Sequence, residues 1–81
     1  MKITITLSVS DVQRSISKRG TYANHEQFKA AVNDELKRIF MRKGIRFYDK
    51  PGLYPLPHST LSSHQIGADR IITISQELDN D

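Results

Sequence analysis

The residues best suited to chemistry are His25, His58 and His64, with Ser59, Ser62, Ser63 and Asp69 close to the last two in the chain. A serine hydrolase needs a nucleophile beside a base and a third group that orients the base. Here the residues share one polar stretch, "PHSTLSSHQIGAD", with no strand-to-helix turn to hold a serine rigidly. The histidine spacing also departs from the His-x-x-x-His pattern by which a helix presents two zinc ligands. No glycine-rich phosphate loop occurs, and nine acidic residues can be paired in too many ways to single out a carboxylate dyad. Histidine and lysine could cleave RNA in a small toxin-like nuclease, but nothing in the spacing requires it. The expectation is a protein without catalytic residues, metal site, cofactor or small-molecule substrate, whose loop histidines are surface residues.

The elements that would position any site are few. A chain of 81 residues makes one domain and buries a modest share of its surface. Domains this small are usually reinforced by disulfides, metals or oligomerisation. Cysteine is absent, so self-association is the easiest of the three to supply, and a homodimer is expected. No apolar run approaches the ~20 residues of a membrane span. The N-terminus alternates instead of forming an apolar h-region, so it is not read as a signal peptide. A cytoplasmic location is expected.

The formal net charge is +3, and its distribution says more than its size. Lys37, Arg38, Arg42, Lys43, Arg46 and Lys50 lie close together, opposed by Asp34, Glu35 and Asp49. The tail "QELDND" is acidic through Glu77, Asp79 and Asp81. A basic middle with an acidic tail suits an anionic partner. The plainer reading is a solvated helix face laced with i,i+4 pairs such as Asp34 with Arg38.

Local pattern supplies the order of elements. "KITITLS" alternates Ile3, Ile5 and Leu7 with Lys2, Thr4 and Thr6, which is a half-buried strand. Ser8 with Asp11 offers a helix start resembling a capping box, with Ser10 and Gln13 as the competing choice. Val9, Val12 and Ile16 share a helix face, and Gly20 can end that helix in a left-handed conformation. Asn24 is a natural cap for a second helix, and Glu26 suits its first turn. The stripe Phe28, Ala31, Val32, Leu36, Ile39 and Phe40 reads as core, and Gly44 stops the helix after Arg42 and Lys43. "IRFYD" alternates as a strand, "KPGL" fits a type II turn with Gly52 at positive φ, and "LYPL" would return as an edge strand carrying Pro55. "PHSTLSSHQIGAD" reads as a polar loop with a helical turn after Ser59 or Thr60. "RIITISQEL", with Ile71, Ile72 and Ile74, closes the chain as a strand. The fold class is therefore α+β in the order β-α-α-β-β-β. Residues 1–44 form strand, helix and helix; 45–76 form hairpin, loop and final strand; 77–81 form the acidic tail. The alternative arrangement is one compact α+β domain with the first and last strands paired.

The first 40 or so residues resemble the ribbon-helix-helix DNA-binding proteins, the class of the Arc, methionine and CopG-type repressors. "TITLS" at Thr4–Ser8 is similar to the strand and helix start of the CopG-type members, and "GTYANHEQF" at Gly20–Phe28 is similar to the turn into their second helix. The resemblance implies a dimer whose first strands pair as an antiparallel ribbon in the major groove. Lys2, Thr4 and Thr6 would face base edges, and Ile3, Ile5 and Leu7 would pack on the helices. The start of the second helix, at Asn24 and His25, would bind a phosphate, with Lys18 and Arg19 adding backbone contacts. The expected function is a small DNA-binding regulator of transcription. The competing expectation is a non-enzymatic protein-interaction module, such as a phage or mobile-element inhibitor of a host protein. It would dock through "YDKPGLYPLPH", with Tyr48, Leu53, Tyr54 and Leu56 as anchors.

Overall fold

Alternation along Lys2–Ser8 puts Ile3, Ile5 and Leu7 on one face of strand β1, and that face needs a cover. A computed structural model, describing residues 1–78, supplies it with two helices and two further strands. After β1 (Lys2–Ser8) come α1 (Val9–Arg19), α2 (His25–Arg42), β2 (Ser59–Ile66) and β3 (Asp69–Glu77). The three strands form an antiparallel sheet in the order β1-β3-β2. The fold is α+β, with first and last strands paired in one chain.

The register places Ile5 opposite Ile74 and Leu7 opposite Ile72 on the inner face. The helices add Val12 and Ile16 from α1, and Val32, Leu36 and Phe40 from α2. Ile45 completes the buried cluster, and Phe28, Ala31 and Ile39 pack against it. The apolar stripe of α2 is thus core packing, as its period implies.

Capping follows the local chemistry. The Ser8 hydroxyl accepts the Asp11 amide at 3.2 Å, and the Asn24 side chain accepts the Gln27 amide at 2.9 Å. Gly44 takes a φ of 107°, and a Cβ there would stand 3.0 Å from Ile3 Cδ1, so both conformation and space favour glycine. Gly20 differs from expectation. Its φ of 163° is extended backbone open to any residue, so α1 ends without a left-handed cap. The i,i+4 pairing of Asp34 with Arg38 gives way to a different ion pair. Arg38 reaches the neighbouring Glu35 at 3.3 Å instead.

The segment between α2 and β2 departs further from the pattern. "IRFYD" and "LYPL" meet only at one bridge, Phe47 with Pro55, flanked by Tyr48 N–H to Tyr54 C=O at 2.9 Å and Leu56 N–H to Arg46 C=O at 3.0 Å. Pro55 occupies the non-hydrogen-bonded position of that pairing, where its missing N–H costs nothing. Prolines at 51, 55 and 57 remove donors and stop the ladder from growing. Gly52 holds the expected positive φ, at 101°.

The stretch read as a polar loop is strand β2, without a helical turn. It shows no alternation because nearly all its residues are exposed. Its order comes from β3, reached through the two-residue link Gly67-Ala68, with Gly67 at φ 59°. Asp79 and Asp81 of the acidic tail lie outside the described residues. No helix among the described residues is long and apolar enough to cross a membrane.

Candidate interaction surface

The residues proposed to read DNA fall into two groups. Lys2, Thr4 and Thr6 share the outer face of the sheet, where β1 is an edge strand. Their neighbours there belong to the same chain. Thr4 Oγ1 is hydrogen-bonded to Ser75 Oγ at 2.9 Å, and Thr6 Oγ1 to Thr73 Oγ1 at 3.0 Å. Thr60 and Ser62 of β2 extend these two rows. This face is polar but almost uncharged, and Lys2 stands in register with Glu77.

Lys18, Arg19, Asn24 and His25 gather around the link between α1 and α2, in the helical layer that covers the opposite face. The Asn24 side chain is occupied as a cap, and the Arg19 guanidinium is bound to Glu35 at 2.8 Å. The arginine hydrogen bond holds the buried Glu35 carboxyl below the usual carboxylate range, against the opposing effect of desolvation. The same hydrogen bond raises the Arg19 pKa.

The four docking candidates divide differently. Leu53 packs against the core, and Leu56 is half-buried beside Pro57 and Gln76. Tyr48 and Tyr54 remain 45% and 51% exposed. Lys50 Nζ lies 4.2 Å from the Tyr54 ring centroid and 5.7 Å from that of Tyr48, a cation–π arrangement of one ammonium with two rings. A Cβ at Gly52 would meet Tyr54 Cε2 at 2.7 Å, so the glycine makes room for the ring. From α2, the Lys37 ammonium donates to the Lys50 carbonyl at 2.8 Å and to the Tyr48 carbonyl at 3.5 Å. The hairpin is therefore fixed at its tip and along its flank. The sequence singles out both tyrosines, but it places Lys37 and Lys50 only in the basic cluster and not at the hairpin. The available signal was Lys50 itself, two residues from Tyr48 and next to a Pro-Gly turn.

Two polar residues anchor this hairpin and the start of α1. Gln76, only 2% exposed, accepts the Arg46 amide at 2.8 Å and donates to the Arg46 carbonyl at 2.9 Å and to Ser59 Oγ at 2.8 Å. Asp69 accepts the Ser8 hydroxyl at 2.6 Å and the Ser10 amide at 2.9 Å. Those hydrogen bonds lower its carboxyl pKa to about 2.

Asp69 and Ser59 thus have structural partners, whereas the sequence placed them beside His58 and His64. His64 lies on exposed β2, in register with Ile71. His58 is the one non-glycine residue at positive φ among those described, at 69°, and its carbonyl accepts the Glu77 amide at 3.0 Å. No group of three or more potential metal ligands occurs among the described residues. Comparisons with family models, with curated proteins and with solved structures give no match for this chain.

Proposed function

We propose that this chain is a small, non-enzymatic protein-interaction module that docks through the hairpin bearing Tyr48, Lys50 and Tyr54. The observation that carries this reading is the pair of half-exposed tyrosines held on one lysine. Exposed aromatic side chains are common energetic anchors of interfaces. Their value rises when the free protein already holds them in place, because less side-chain entropy is lost on binding. Here Gly52, Lys50 and Lys37 supply that order. The partner is a protein surface with a recess for the rings and a carboxylate to meet Lys50 beside them.

Strand-based DNA reading has less support. The Thr4 and Thr6 hydroxyls already have partners within the chain, and the outer sheet face offers little positive charge. Attraction to phosphates dominates the affinity of most DNA-binding proteins.

The test is capture of proteins from a cell lysate by wild type and by a Tyr48→Ala/Tyr54→Ala variant. Proteins lost with the variant are then purified and titrated by calorimetry. Hot-spot aromatics cost about 2 kcal/mol or more, so affinity should fall roughly thirtyfold or more. Equal affinities for two equally folded proteins refute the assignment.

A further inference from the structure

Two of the six basic residues in the middle of the sequence, Arg38 and Arg42, stand on α2 beside a single buried carboxylate. Glu35 is 4% exposed and receives three guanidiniums. Arg19 approaches both carboxylate oxygens, at 2.8 and 3.5 Å, and ties the end of α1 to α2. Arg38 reaches the same carboxylate at 3.3 Å and Arg42 at 3.6 Å. One arginine suffices for the tie, so Arg38 and Arg42 leave two positive charges in excess.

Their side chains are 63% and 67% exposed, so both remain accessible to a ligand from solvent. They stand one turn apart on α2, separated by a rise of about 6 Å. Arg38 hydrogen-bonds Glu35 through one guanidinium nitrogen, and Arg42 makes a longer ion pair with it. Asp34, Lys37 and Met41 line the groove beside them.

We infer that Arg38 and Arg42 form a contact site for the phosphates of a nucleic-acid duplex. Guanidinium forks match phosphate geometry, and two forks a helical turn apart suit a ligand whose anionic groups repeat. No aromatic side chain lines this groove, so nothing there stacks an unpaired base as single-strand binders do. The contact is therefore with backbone and independent of sequence. It lies on the layer opposite Thr4 and Thr6, and it does not depend on the tyrosine hairpin.

The experiment is fluorescence anisotropy with a labelled DNA duplex of mixed sequence, across salt from about 50 mM to about 200 mM. Wild type should bind at low salt, with affinity falling as salt rises. Arg38→Gln/Arg42→Gln should reduce the slope of log affinity against log salt by about 1.8, the value for two lost phosphate contacts. Arg38→Lys/Arg42→Lys should keep the slope, and Thr4→Ala/Thr6→Ala should change neither slope nor affinity. Circular dichroism checks folding. If the double glutamine variant does not fold, each single variant should lower the slope by about 0.9. Absence of duplex binding at low salt overturns the inference, as does an unchanged slope in folded glutamine variants. Equal competition by poly-L-glutamate would assign the arginines to carboxylate ligands and overturn it as well.

Discussion

Replacing Gln76 by leucine sets two physical arguments against each other. The site is only 2% exposed, lies in the strand that supplies Ile72 and Ile74 to the core, and holds a side chain of similar size to leucine. Counting apolar burial alone predicts a gain, because a polar amide leaves the interior. The hydrogen bonds predict a loss. Three disappear together: the Arg46 amide loses its acceptor, and the Arg46 carbonyl and Ser59 hydroxyl lose a donor. At about 1 kcal/mol net each they contribute about 3 kcal/mol, with a further penalty for any group left dry and unpaired. Arg46 is exposed overall, so water replaces part of the loss. Leucine adds back a fraction of its transfer energy. The expected result is a destabilisation of about 1–3 kcal/mol.

For a domain of this size each kcal/mol moves the melting temperature by roughly 4–8 °C, so the variant should melt about 5–20 °C lower. Thermal melts and urea titrations measure the total. Amide hydrogen exchange locates it: the Arg46 amide should lose protection, whereas the amides within the β1–β3 ladder should exchange more slowly than it does. A variant as stable as wild type, or one with unchanged Arg46 protection, would refute the clamp.

The remaining expectations concern acid stability and backbone strain. The Asp69 carboxyl has a folded pKa of about 2, and that of Glu35 is also lowered. Unperturbed carboxylates titrate near pH 4, so these groups stabilise the fold above that pH and lose their contribution as pH falls through the folded values. Asp69→Asn should flatten the melting temperature between roughly pH 4 and pH 2; a profile as steep as wild type would show that its hydrogen bonds to Ser8 and Ser10 do not couple to folding. His58 sits at a φ of 69°, where a side chain costs up to ~1–2 kcal/mol relative to glycine. His58→Gly should match or exceed wild type in urea, and His58→Val should fall below it. The reverse order would exclude backbone strain at this position.

What could be read from the sequence was what neighbouring residues decide together. Ser8 and Asn24 cap their helices because a short polar side chain next to an apolar-periodic run has a free amide within reach. Gly52 turns the hairpin because proline precedes it. Strand β2 was hidden for the opposite reason. An edge strand exposed on both faces has no inside to write into its pattern, and its order depends on a β3 ladder several residues away. The polar face of β1 shows the same limit. Lys2, Thr4 and Thr6 would read identically beside a second chain or beside Glu77, Ser75 and Thr73, because alternation specifies a face but not its neighbour. The candidate sites follow this division. Tyr48 and Tyr54 were legible as large apolar residues on a stiff turn, but the Lys37 ammonium that ties the hairpin backbone reaches across from α2. Arg38 and Arg42 were legible as charge. Their excess became defined only when folding brought Arg19 from α1 to satisfy Glu35, leaving both guanidiniums beside a carboxylate that already has its partner.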